Sequence, residues 1–177
     1  MIFRGRAPEG SVWKRFRSGL DGFTFSRTDD GVYEAHVVAN AERVVDLFYT
    51  LTEHLPPAVS VSLDDRRTGR MWVGDDVALP DVRDAVARLK VPLAAYGGLE
   101  LSAYTPDDQL TLTPYLGLYV FARSDRWLYL LQGKGLEEYS SLSEKRWRAQ
   151  PWDKAPVPTL RDAVDAAAQR MSLRATS

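Results

Sequence analysis

Three stretches of this chain repeat one pattern: two short runs of alternating polarity around a polar turn, then a longer run with helical spacing. Two strands joined by a tight turn must lie antiparallel, and the run after them must carry the chain to the next pair. In the first unit, residues 23–28 and 32–39 flank Asp29-Asp30-Gly31. Asp-Gly between alternating runs signals a hairpin, because glycine accepts the positive φ that such turns need. Asn40 is a good N-cap for the segment after it. Val44, Val45, Leu47, Phe48, Leu51 and Leu55 fall mainly on one side of a helix that Pro56-Pro57 ends.

The second unit runs through residues 58–63, a polar turn at 64–69 and residues 70–74. Its helix begins near Asp81, with Pro80 near the first turn and Val82, Ala85, Val86 and Leu89 as its stripe. Pro92 is expected to end or kink it, and Gly97-Gly98 closes the unit. The third unit has residues 99–105, a turn at Pro106-Asp107-Asp108, then 109–113 and 115–122. Residues 125–132 have two readings. Ser124 could cap a short helix that stops at Gly133, or residues 127–131 could be another strand. The parallel with the first two units favours the helix.

The fold class that follows is α+β: a mostly antiparallel sheet of about six or seven strands, built from successive strand-strand-helix units with helices on one face. An extra C-terminal helix completes it. Residues 1–138 read as the domain body. Residues 139–177 read as an arm and helix docked on the same domain. Pro151, Pro156 and Pro158 make the arm extended. Thr159 is expected to cap the last helix with Asp162 three residues on. Leu160, Ala163, Val164, Ala167 and Met171 form a narrow stripe along it.

The chain of 177 residues contains no cysteine, which excludes disulfides, thiolate metal sites and a cysteine nucleophile. No apolar run approaches the roughly 18–20 residues of a membrane span. The N-terminus lacks the apolar segment of a signal peptide. The chain therefore reads as cytoplasmic, with no membrane partner. Its net charge of −1 is unevenly spread: +4 over residues 1–20, −8 over 21–138 and +3 over 139–177.

Strand alternation sorts side chains between the faces. Phe23, Phe25, Tyr33, Ala35, Val37, Val59, Val61, Leu63, Met71, Val73, Leu99, Leu101, Ala103, Leu110, Leu112, Leu116, Leu118 and Val120 are expected under the helices. The opposite face then carries small polar residues with Glu34, His36, Arg70, Trp72, Glu100, Tyr104, Tyr119 and Phe121. Aromatics beside charged groups on an open sheet resemble a binding surface.

Catalytic signatures are missing. His36 lies two residues from Glu34 on one face, which could make an acid–base pair. No Gly-x-Ser-x-Gly elbow accompanies it. His54, at the end of the first helix, suits the helix dipole when cationic. No metal-ligand spacing, Walker sequence or dinucleotide fingerprint occurs, so neither a metal nor a cofactor is expected. Trp13-Lys14-Arg15-Phe16-Arg17 and Lys145-Arg146-Trp147-Arg148 interleave basic and aromatic residues, as single-strand binders do. The acidic body and a pI near 6.1 oppose nucleic-acid binding. The bland reading is that Trp13, Phe16, Trp147 and Trp152 pin the ends onto the domain.

The expectation leans away from an enzyme. It is a bacterial protein–protein interaction module, an immunity-type or adaptor protein, by fold-level analogy alone. Arg70, Trp72, Glu100, Tyr104 and Tyr119 on the open face would meet the partner, or the acidic turns at Asp64-Asp65 and Asp107-Asp108 would. The alternative is a small-molecule-binding domain or small enzyme using Glu34, His36 and Tyr104.

Overall fold

The computed structural model describes residues 21–142 and 158–176. The first hairpin is β1 (Gly22–Arg27) and β2 (Tyr33–Val38), followed by α1 (Ala41–Leu51) and a 3-10 turn, Thr52–His54. The second is β3 (Ala58–Asp65) and β4 (Arg70–Ala78), followed by α2 (Leu79–Tyr96). The third unit is a meander of β5 (Leu99–Tyr104), β6 (Asp108–Leu112) and β7 (Leu118–Ala122), followed by α3 (Arg126–Gly133). Then come β8 (Glu137–Glu138), α4 (Pro158–Arg170) and β9 (Arg174–Thr176).

All nine strands join one sheet in the order β8-β1-β2-β7-β6-β5-β3-β4-β9. Every pairing is antiparallel except that of β1 with β8. The third unit therefore sits in the middle, with the first hairpin against β7 and the second against β5. The sheet has nine strands rather than six or seven because two very short ones add to its edges. Two or three residues carry no alternation to read. Residues 125–132 are largely helix: α3 buries Trp127 and Leu131, and Asp108 accepts the Trp127 Nε1–H at 2.7 Å.

Helix α2 continues through Pro92 to Tyr96 instead of ending there. Proline costs a helix one hydrogen bond. Here the ring falls on the buried stripe Val82, Ala85, Val86, Leu89, Pro92 and Leu93, so packing retains the helix. Thr159 lies inside α4, behind Pro158, and is not its cap. Residues 13–17, 145–148 and Trp152, together with Pro151 and Pro156, lie outside the described residues. Among the described residues, no helix is long and apolar enough to cross a membrane.

One sheet face is largely apolar. Phe23, Val37, Val61, Leu63, Leu101, Leu110 and Leu112 are buried there together with Val44, Phe48 and Leu51 of α1 and Leu89 and Leu93 of α2. Strand β4 breaks the expected alternation. Trp72 pairs with Leu63 and Arg70 with Asp65, so both point toward the helices, while Met71 pairs with Asp64 and is 39% exposed on the other face. A one-residue change of register moves every side chain to the opposite face. Met71 and Val73 were the apolar choice by alternation, but β3 extends two residues further than the pattern showed. Trp72 fills the space beneath α4, with the Arg70 guanidinium 4.8 Å above its ring and held by Asp165 at 2.8 Å. Gly74 follows on the same face, where a Cβ would lie 2.6 Å from Leu173. Beyond it, a bulge sets Asp75 and Asp76 against Ser60, with Asp76 at φ 53°.

Burial of His54, whose ring is edge-on to Trp127 at 6.3 Å, holds its pKa below 6.5. Glu53 opposes this, while Lys134 and Arg126 reinforce it. The neutral imidazole is favoured, not the cationic cap expected from helix polarity. Two outcomes follow. Trp72→Ala destabilises the fold by about 3–5 kcal/mol, read as a lower urea midpoint. The unfolded chain protonates His54 before the folded one does, so stability falls as pH drops through about 6.5. His54→Gln removes part of that slope in urea titrations at several pH values.

Candidate functional site

The face away from the helices is organised in rows, because residues opposite each other in antiparallel register share a face. One row runs Thr24, His36, Tyr119, Thr111, Ser102, Ser62, Val73, Arg174. Its centre is small and hydroxylic: Ser102 Oγ and Thr111 Oγ1 lie 2.9 Å apart and are buried. Gln109 donates to the same Thr111 oxygen at 2.8 Å. Toward β2 the row becomes aromatic. The His36 and Tyr119 rings stack at 4.4 Å and 14°, and Tyr119 lies parallel to Phe121 at 6.2 Å.

Beside this stack is a cleft of about 240 Å³, lined by His36, Glu100, Thr113, Pro114, Tyr115, Gly117 and Tyr119. Its outer wall is the β6–β7 turn. Thr113 N donates to Gly117 O at 2.8 Å, and Gly117 N donates to Thr113 Oγ1 at 3.0 Å. Leu116 takes φ 63° there while its side chain is fully buried. A non-glycine residue in that region is strained, and the buried leucine holds it. A Cβ at Gly117 would lie 3.2 Å from Thr113 Oγ1, a tight contact, and only at ordinary contact distance from His36.

Two further turns brace this wall. Gly98, at φ 79°, donates its N–H to Pro114 O at 2.8 Å, and Arg66 N donates to Gly98 O at 3.0 Å. Arg67 is buried under the glycines and donates to the carbonyls of Gly97 and Tyr96 at the C-terminus of α2. A cation there meets the negative end of the helix dipole. Any side chain at Gly98 would collide with that guanidinium, its Cβ 1.9 Å from Arg67 Nη1.

The charge at the cleft comes from a cross-strand pair of carboxylates, Asp64 and Glu100. Arg66 bridges them, with Nε 3.0 Å from Asp64 Oδ2 and Nη2 2.9 Å from Glu100 Oε2. Burial raises the Asp64 pKa above 3.8; Arg66 opposes this, and Glu100 and Asp65 add to it. A second opening of about 400 Å³ continues outward past Arg66, Glu100, Pro114 and Tyr115.

Of the residues expected to meet a partner, Asp64, Glu100, Tyr104 and Tyr119 share the open face. Arg70 and Trp72 do not; they lie on the helix side, Trp72 buried and Arg70 half-buried and paired with Asp165. Asp65 is buried and closes the β3–β4 turn, accepting from Arg67 N at 3.1 Å and Thr68 Oγ1 at 2.6 Å. Asp108 is held inward by Trp127 and Arg126. Glu34, His36 and Tyr104 are not brought together. Strands β7 and β6 separate Tyr104 from β2, and of the three only His36 lines the cleft. Arg66, Thr113, Tyr115 and Gly117 were missed. The signal for them was Pro114 and Gly117 interrupting an otherwise strand-like run.

Among the described residues, no group of three or more His, Asp or Glu side chains could hold a metal. Comparison of the chain with protein-family models, with curated proteins and with solved structures finds no match.

The raised Asp64 pKa means that its ionised form is less welcome in the folded state. That penalty is present above the folded pKa and disappears as pH falls toward the unfolded value. Asp64→Asn is therefore expected to raise the urea midpoint at neutral pH, with the gain fading below about pH 4.

Proposed function

We propose that this chain is a non-enzymatic protein–protein interaction module, of the immunity or adaptor type, that holds its partner on the open face of the sheet. The observation that supports this most is the contrast between the two faces. One is sealed by helices. The other carries half-exposed Tyr104, Tyr119 and Phe121, exposed Tyr115 and Met71, and the carboxylates of Asp64 and Glu100 around a cleft. Aromatic anchors beside a recess, with charges at its rim, are the composition of interface hot spots. The acidic body, −8 over residues 21–138, adds long-range attraction for a basic partner. The site is now centred on Glu100, Tyr115 and Tyr119, with Arg70 and Trp72 left out.

A second reading is favoured by His36, which is 9% exposed at the wall of the cleft. A small molecule bound there would meet His36, Glu100 and the two tyrosines. The cleft's 240 Å³ is below the usual size of a ligand pocket, about 300–1,000 Å³, so this reading comes second.

Affinity capture from the native host with the full chain separates the two. The interaction reading expects one protein held stoichiometrically. Tyr115→Ala should weaken its capture by about tenfold or more, the effect of losing a hot-spot aromatic. Tyr129→Ala, which alters an exposed ring on α3 away from the cleft, should not. Capture indifferent to Tyr115 discards this surface.

A further inference from the structure

We propose that the cleft beside Glu100 takes the guanidinium of an arginine on the partner protein. This rests on the open face being the partner-binding surface, and it names what that surface recognises. Three observations converge on it.

The first is size. The inner cleft and the outer opening share Glu100, Pro114 and Tyr115, so together they form one recess with a carboxylate on its wall. An inner volume of about 240 Å³ suits a single long side chain.

The second is charge. Among the described residues, Asp64 and Glu100 share one cation, Arg66, which reaches a single oxygen of each. Two carboxylates against one guanidinium leave a surplus negative charge. A second cation would complete the charge balance. The body's −8 over residues 21–138 adds a general attraction for cations.

The third is the ring geometry. Tyr115 is 44% exposed at the mouth and supplies the ring; Tyr119 lines the interior but is already stacked on His36 and parallel to Phe121. Aromatic faces beside a carboxylate favour a planar, weakly hydrated cation that stacks and donates two hydrogen bonds at once. The chain uses this combination internally. Arg70 lies over Trp72 at 4.8 Å while paired with Asp165, and Arg126 lies over Trp127 at 5.2 Å while paired with Asp108. The cleft offers the same pairing of carboxylate and ring to a guanidinium from outside. Lysine would find the charge but not the planar match.

The test is a titration of the ¹⁵N-labelled full chain with N-acetyl-arginine amide, followed by NMR. The expected result is saturable shifts at the amides of Glu100, Gly117 and Tyr119. N-acetyl-citrulline amide, the neutral isostere, should bind at least tenfold more weakly. Glu100→Gln should weaken the arginine response at least tenfold, and Glu138→Gln, on the exposed edge strand, should leave it unchanged. Tyr115→Leu, on a surface turn, provides an independent loss if Glu100→Gln fails to fold. No saturable response at the cleft, or equal responses to arginine and citrulline, overturns the inference. Such a failure alongside Tyr115-dependent capture leaves the open-face reading intact. A normal arginine response without Tyr115-dependent capture instead removes that reading and leaves a guanidinium site.

Discussion

The inner face of the sheet has to stay dry, from Phe23 near one edge to Trp72 near the other, and the rest of the structure follows from how that is achieved. Helices α1 and α2 cover the middle strands, with Val44, Phe48, Leu51, Leu89 and Leu93 against Leu63, Leu101 and Leu110. Helix α4 packs against α2 and is tied to β4 by the Arg70–Asp165 pair. This helix is alanine-rich and approaches closely, burying Leu160, Val164, Ala167 and Ala168. Close approach at its end requires that one inward position of β4 carry no side chain, and Gly74 meets that need under Leu173. The space further along is filled by Trp72. The register of β4 is thus an outcome of covering the sheet, since hydrophobic burial rewards whichever parity fills the volume.

Once one face is committed to the helices, the other is left to small polar residues and a few rings. The cleft lies at the end of the sheet where three turns meet. Arg67 holds two of them to the C-terminus of α2, and the Gly98–Pro114 hydrogen bond attaches the third. The Nη1 and Nη2 donations of the buried Arg67 tie these carbonyls to it. The position of Tyr115, and the left-handed backbone of Leu116 next to it, depend on that bracing. A side chain on a loop becomes a usable recognition element when the loop is fixed in this way.

The charges follow the same logic at longer range. Most acidic residues of the body are answered locally, as Asp84 is by Arg88 and Arg170, or Asp108 by Arg126. Such surface pairs contribute little stability each. Asp64 and Glu100 differ, because their strands place them side by side with one arginine between them. Their proximity arises from register, not from a run of acidic residues in the sequence.

The chain's order of strands and helices was legible in its sequence, because turn residues and apolar periodicity are local properties. Asp29-Asp30-Gly31, Pro56-Pro57 and Gly97-Gly98 punctuate the units, and the stripes of α1 and α2 need only 3.6-residue spacing. The same holds for the open face as far as Glu100, Tyr104 and Tyr119 are concerned, since they lie on strands with clean alternation. Tertiary structure decided what locality cannot express. It chose the parity of β4, which set Trp72 and Arg70 inward and Met71 outward. It let α2 run through Pro92, whose lost hydrogen bond is offset by burial. It turned Thr113 and residues 115–117 from expected strand into the wall of a cleft, by giving Leu116 a buried place and Pro114 a distant donor in Gly98. In each case the deciding energy came from contacts between residues far apart in the chain, and no window of sequence contains both partners.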